Sequence, residues 1–254
     1  MEPNLLLESY LTSLRLPAFV AQYRRIADDA ARDNLSYERF LLALAEHEVQ
    51  HREAQRRRQR IRAAHFPVLK ELADFDFSLV PGVNKQLLLE LAQGHYIAKA
   101  DPILLVGNPG LGKTHLATGL ALAACRQGHR VRFYTAAELV NELSEAQDER
   151  RLGRAIAQAL KQQVIVLDEL GFIPFSTLGA QLMFQYCSAL HERVSLIVTT
   201  NLRFADWTQV FGNERMTGAL LDRLTHRGHI VELVGESYRF RSRLQHESEV
   251  GDVG

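Results

Sequence analysis

Residues 103–114 read Ile103-Leu104-Leu105-Val106-Gly107-Asn108-Pro109-Gly110-Leu111-Gly112-Lys113-Thr114. The first four form a short apolar run, β-branched at both ends and bounded by Pro102 and Gly107, which predicts a buried strand. The residues after Lys113, Thr114-His115-Leu116-Ala117-Thr118-Gly119-Leu120-Ala121-Leu122-Ala123, are helix-forming. Strand, glycine loop and helix N-terminus are the context in which GxxxxGK[ST] has a physical meaning. Gly110 and Gly112 let backbone N–H groups turn inward on phosphates, and the helix dipole adds positive potential there. Lys113 is placed to reach β- and γ-phosphates, and the hydroxyl of Thr114 to ligate Mg²⁺.

A second apolar run, Val164-Ile165-Val166-Leu167, ends in Asp168-Glu169. Carboxylates at the C-terminal edge of a parallel sheet lie where such folds bind ligands. Asp168 is expected to hold Mg²⁺ through water and Glu169 to polarise the water that attacks the γ-phosphate. A third run, Ser195-Leu196-Ile197-Val198-Thr199-Thr200, leads into Asn201. By itself Asn201 reads as a turn residue. As the third polar residue at a strand end of one sheet it becomes a candidate sensor of the γ-phosphate.

The alternation of strands and helices sets the fold class. Strands are expected at 103–106, 130–134, 164–167, 195–200 and 229–233, with helices at 113–127, near 150–161 and near 177–191. Thr135 with Glu138 forms a capping box that opens another helix. Five strands separated by helices imply an α/β fold with a parallel sheet. Residues 1–66 contain no glycine and are helical in pattern. One helix carries Leu5, Leu6, Leu7, Leu11 and Leu14, and Pro17 opens a second. Ser36 can cap a third from Tyr37 to about His65, amphipathic in its first half through Phe40, Leu41, Leu44 and Val49. In its second half Arg52, Arg56, Arg57, Arg58, Arg60 and Arg62 spread around most of the helix. A helix polar all round bridges solvent or touches something charged.

The domains expected are therefore a helical one at 1–66, a joining segment at 67–100, an α/β core at 101–246 and a disordered tail at 247–254. In the joining segment Asp74-Phe75-Asp76-Phe77 stands where a purine pocket could be built; docking of the two phenylalanines onto the core is the other reading. The 254 residues suffice for one α/β core and a small second domain, and 46% hydrophobic with 24% charged residues is ordinary for a globular protein. Net charge is zero, so any affinity for nucleic acid must come from local clusters. Cys125 and Cys187 lack ligand spacing and are expected as packed, reduced thiols. Met1-Glu2-Pro3-Asn4 has no basic region of a signal peptide and no apolar run approaches spanning length, so a cytoplasmic protein with no membrane partner is expected.

Taken together, these segments resemble the IstB-like ATP-binding proteins of bacterial insertion sequences and, more distantly, the DnaC-type helicase loaders. The resemblance runs from about residue 5 to 243. It rests on Leu14-Arg15-Leu16-Pro17, Asp74-Phe75-Asp76-Phe77, the phosphate loop through His115-Leu116-Ala117, and Leu167-Asp168-Glu169-Leu170-Gly171-Phe172. It continues in Thr200-Asn201-Leu202, Leu221-Asp222-Arg223-Leu224 and Gly235-Glu236-Ser237-Tyr238-Arg239. It implies a P-loop AAA+ ATPase core of the initiator and loader type, with ATP and Mg²⁺ as cofactors. On this match Gly107 to His115 contact nucleotide, Asp168 and Glu169 form the acidic motif, and Asn201 is the first sensor. Arg223 matches an arginine finger, acting within its subunit or across an interface, and Arg239 a second sensor. Too few residues follow the last strand for a full helical lid, so nucleotide sites closed by a neighbour in a homo-oligomer are expected.

The family assembles on duplex DNA when ATP is bound and stimulates a transposase. The resemblance thus implies largely sequence-independent DNA binding, with the Arg52–Arg62 cluster as its candidate, and a transposase of the same element as partner. A helicase loader is the alternative reading, and a DNA-coating protein in which nucleotide only locks the fold is a third. Glu169 speaks against the third, since coating without turnover needs no carboxylate aimed at water.

Overall fold

The computed structural model describes residues 3–172 and 174–235. Arg239 and the tail expected from residue 247 lie outside the described residues. The chain divides into two compact units, Met1–Gln59 and Arg60–Gly254. The division falls inside a helix, ahead of the boundary expected after residue 66.

The first unit holds α1 (Pro3–Ser13), α2 (Pro17–Arg32) and most of α3 (Tyr37–Ala63), which runs on into the second. Pro17 sits in the first turn of α2, where its missing N–H would have had no partner. Tyr23 and Ile26 of α2 pack with Leu44 of α3, and Phe19 and Phe40 close around them. The apolar pattern is only partly used. Leu5, Leu6, Leu7 and Leu14 around α1, and Leu41 and Val49 on α3, are exposed. Phe40 and Leu44 stack one turn apart on the buried face, whereas Leu41 falls beside it and Val49 on the far side of the helix.

One turn beyond Leu44 that face carries a charge. Glu48 is 4% exposed. Its carboxylate accepts the Ala18 N–H at 2.9 Å, in the first turn of α2, and Arg52 Nε at 2.7 Å. Arg52 also donates through Nη2 to the Arg15 carbonyl at 2.7 Å. A buried carboxylate is tolerated when donors of this kind surround it. Burial acts to raise the Glu48 pKa, but the Arg52 hydrogen bond and charge and the backbone N–H groups of Ala18 and Phe19 together outweigh it and hold the carboxyl below its ordinary value.

The second unit opens with 3-10 turns at Leu72–Asp74 and Phe77–Leu79, then α4 (Lys85–Leu91) and α5 (His95–Lys99). The core follows as β1 (Ile103–Gly107), α6 (Lys113–Arg126), β2 (Val131–Thr135), α7 (Ala136–Asp148), α8 (Leu152–Ala159) and β3 (Val164–Asp168). It is completed by α9 (Thr177–Leu190), β4 (Ser195–Thr200), α10 (Thr208–Phe211), α11 (Glu214–Thr225) and β5 (His229–Leu233). All five strands are parallel, in the order β2-β3-β4-β1-β5. This is the expected α/β class with a helical N-terminal segment.

Burial follows strand position. Every residue of β3 and β4 is buried, whereas β2 and β5 at the edges alternate. A strand covered on both faces reads as a continuous apolar run, which is why the central strands were legible. The outer edge of β2 is partly covered, since Phe133 N–H donates to the Ala64 carbonyl at 2.8 Å. The Thr135–Glu138 capping box is present at α7. Order β3-β4-β1 sets three carboxyl ends side by side, and this places the phosphate loop, the Asp-Glu pair and Asn201 along one edge. Cys125 and Cys187 are free and buried, and burial pushes their thiols up to about 11 and about 12.

Candidate active site

The loop after β1 turns on two glycines. Gly110 (φ 83°) and Gly112 (φ 84°) both adopt left-handed backbone, which side chains disfavour. At Gly112 space forbids one as well, because a Cβ would stand 2.6 Å from Phe75 Cε2. Gly112 is also the N-cap of α6 and supplies no side-chain cap, so the first-turn N–H groups are left for an anion. Lys113 folds back over the loop, its Nζ donating to the carbonyls of Gly107 at 2.7 Å and Asn108 at 2.8 Å. Gly107 has a different task. A Cβ there would meet the Leu233 carbonyl at 2.3 Å, so glycine permits the close approach of β5.

Pro109 through His115 line a cavity of about 450 Å³. Glu169 and Asn201 line it too, so the ends of β1, β3 and β4 contribute to one space. Gly107 and Asn108 are not among the lining residues; their carbonyls instead hold Lys113. The volume lies within the range of small-molecule sites, roughly 300–1,000 Å³. His115 is fixed from behind, with Nε2 2.7 Å from the Glu71 carbonyl and its ring edge-on to Phe75 at 5.3 Å. Phe75 lines the cavity, whereas Phe77 packs edge-on behind it at 4.9 Å and is not a lining residue. The two readings of this segment are thus divided between its two rings: Phe75 packs on the core and also walls the cavity.

Asp168 is 4% exposed. The Thr114 hydroxyl stands 3.0 Å from both its oxygens and the Thr199 hydroxyl 2.5 Å from Oδ1. Burial pushes the Asp168 carboxyl above its ordinary value; the two hydroxyls and the charge of Lys113 offset part of that. Glu169 is exposed toward the cavity and sits in left-handed backbone, φ 59°. For a residue with a Cβ that conformation costs roughly 1–2 kcal/mol. It is held by two hydrogen bonds, Glu169 N–H to Thr199 Oγ1 at 2.9 Å and Leu170 N–H to the Thr199 carbonyl at 2.9 Å. Thr199 was missed as a site residue. Its signal was a pair of hydroxyl residues, Thr199 and Thr200, closing a strand buried on both faces, where polar groups must find partners.

Thr114 and Asp168 supply hard oxygen donors side by side, a set suited to Mg²⁺, and the uncapped helix start with Lys113 suits phosphate. Arg223 does not line this cavity. It lies on α11, with its guanidinium over the Phe184 ring at 5.1 Å and Nη1 donating to the Ala219 carbonyl at 2.9 Å.

The arginines of α3 are not equivalent. Arg52 is engaged by Glu48 and the Arg15 carbonyl, and Arg60 donates through Nε to the Cys125 carbonyl at 3.1 Å. Arg56, Arg57, Arg58 and Arg62 are exposed. Ile61 near the end of α3 and Ala64 just after it pack in the core of the second unit.

A parallel β2-β3-β4-β1-β5 sheet, with a phosphate loop after β1 and paired carboxylates after β3, defines a P-loop core of the AAA+ class. Two solved structures share that fold. The DnaC helicase loader matches with a TM-score of 0.52 at 22% identity, over 59% of this chain and 87% of that one. The replication initiator DnaA bound to AMPPCP and single-stranded DNA matches with a TM-score of 0.55 at 18% identity, over 72% of this chain and 56% of that one. The chain belongs to the IstB-like ATP binding protein family, whose sequence profile matches residues 9–246. A protein of Pseudomonas aeruginosa named as an ATP-binding protein of insertion sequence IS21 is 34% identical over 93% of this chain and 89% of its own. A counterpart from Geobacillus stearothermophilus, named for insertion sequence IS5376, is 34% identical over 96% of this chain and 97% of its own. No helix among the described residues is long and apolar enough to cross a membrane.

Proposed function

We propose that this protein is an ATPase that assembles on duplex DNA in its ATP-bound state and recruits a transposase of its own insertion sequence. The observation that carries the reading is that the phosphate loop, Glu169 and Asn201 line one cavity. Lys113 and the N–H groups of the first α6 turn would bind the β- and γ-phosphates, and Lys113 would exchange two loop carbonyls for phosphate oxygens. Thr114 and Asp168 would hold Mg²⁺, which supplies charge neutralisation on those phosphates when bound. Glu169 takes the proton of the attacking water, and Asn201 orients that water toward the γ-phosphate. Phe75 offers an apolar wall for the base. Arg223 serves the site of an adjacent subunit, a role consistent with its place away from its own cavity. Arg239 is proposed as a second sensor by the family match alone.

The family and the names of its insertion-sequence relatives favour transposition over helicase loading. Phosphate release measured with and without duplex DNA tests the reading. Turnover that rises with DNA supports it; ATP binding without turnover under either condition would reduce the protein to a nucleotide-locked scaffold. Capture of a replicative helicase, with no capture of the transposase, would favour the loader.

A further inference from the structure

Thr199 makes three contacts with the acidic turn at the end of β3. Its hydroxyl is 2.5 Å from Asp168 Oδ1 and accepts the Glu169 N–H at 2.9 Å, and its carbonyl accepts the Leu170 N–H. A threonine hydroxyl has one proton and two lone pairs. The Glu169 N–H can only donate, so the hydroxyl proton goes to Asp168, which is the acceptor. Thr199 is 1% exposed, so no solvent competes for either bond. The turn it grips is constrained at both ends. Glu169 is left-handed at φ 59°, and Gly171 at φ 101° adopts backbone that side chains disfavour.

The hydroxyl therefore joins two carboxylates with different tasks. Asp168 has one hydroxyl partner in the phosphate loop, Thr114, and one outside it, Thr199. The second does not depend on what the loop binds. Glu169 has its backbone tied at the residue from which its side chain enters the cavity. We propose that Thr199 is a positioning residue for hydrolysis. Its hydroxyl keeps Asp168 oriented independently of Thr114 and fixes the backbone that aims Glu169 at the γ-phosphate. This rests on the ATPase reading and names the group that sets the geometry of its base.

Thr199→Val keeps shape and removes the hydroxyl; Thr199→Ser keeps the hydroxyl. In full-length protein Thr199→Val should lower kcat for ATP by roughly 10- to 100-fold while KM and ATP affinity stay within about threefold, and Thr199→Ser should recover most of kcat. Amide hydrogen exchange without nucleotide supplies a readout independent of turnover. In Thr199→Val the Glu169 amide should exchange about tenfold faster, whereas Leu170, bonded to the retained carbonyl, should not change relative to its neighbours. Unchanged Glu169 exchange in Thr199→Val would overturn the proposal, as would a Thr199→Ser variant as slow as Thr199→Val. If the wild-type protein has no turnover, the ATPase reading falls, and the exchange pair still decides whether Thr199 holds Glu169.

Discussion

The hydroxyl of Thr114 stands 3.0 Å from each carboxylate oxygen of Asp168, joining the first turn of α6 to the end of β3. Two segments far apart in sequence thus meet at the point where a metal–nucleotide complex would sit. Lys113, the next residue back, closes the loop on its own carbonyls.

Lys113→Ala should weaken ATP binding. Hydrogen bonds to charged groups contribute about 1.5–3 kcal/mol, which corresponds to roughly 10- to 100-fold in affinity. Calorimetric titration with ATP checks this. Wild-type affinity in the variant would remove the loop from the nucleotide site.

Arg223 is expected to act on the nucleotide of an adjacent subunit. Where such arginines have been dissected they contribute about 10³–10⁵ in rate. Arg223→Ala subunits mixed with Lys113→Ala subunits should regain part of the lost turnover, because some interfaces pair an intact loop with an intact arginine. Failure of rescue at every mixing ratio would place Arg223 in its own subunit's structure, over Phe184.

The exposed arginines of α3 are expected to contact DNA phosphates without reading bases. Each phosphate contact contributes about −0.9 to the slope of log K against log salt. Arg56, Arg57 and Arg58, replaced together by alanine, should flatten that slope by up to roughly 2–3 per subunit engaged. Arg60 is left out of the set because it holds the Cys125 carbonyl. A slope identical to wild type would make this stretch a solvated spacer.

Glu48 makes the helical unit sensitive to acid. Its folded pKa is lowered, with Arg52 and the backbone N–H groups of Ala18 and Phe19 together outweighing burial. The stability it adds is therefore complete above the unfolded value, about 4.3, and is lost as pH falls through the folded one. Arg52→Met at neutral pH should cost about 1.5–3 kcal/mol, toward the lower end because Arg52 is partly exposed. Amide exchange over the first turn of α2, corrected for intrinsic rate, follows both effects. Protection unaffected by acid or by Arg52→Met would show that Glu48 is a bystander.

Those parts of the fold were legible whose pattern is local. Val164–Leu167 and Leu196–Val198 are unbroken apolar runs because both faces of their strands are covered, and Thr135 with Glu138 announces its helix through a reciprocal cap. Less legible was what depends on contacts across the chain. Nothing in the sequence around Glu48 signals burial, and only the approach of Ala18 in α2 makes it a buried anchor. Arg52 and Arg60 look like their neighbours in sequence but bond to carbonyls distant in the chain. The hydroxyl pair Thr199-Thr200 marks the end of a buried strand without naming a partner; the contacts of Thr199 with Asp168 and Glu169 come from β3 and β4 lying side by side.

Bound ATP, not ADP, is expected to assemble this protein on duplex DNA, with Glu169 ending the state by hydrolysis. Glu169→Gln removes the base alone, and loss of a general base slows turnover by about 10²–10⁴. Electron microscopy of the Glu169→Gln protein on linear duplex DNA, with ATP and with ADP, tests this most directly. Ordered DNA-bound assemblies that form with ATP and are absent with ADP are the predicted result. The same assemblies with either nucleotide, or none with ATP, would contradict it.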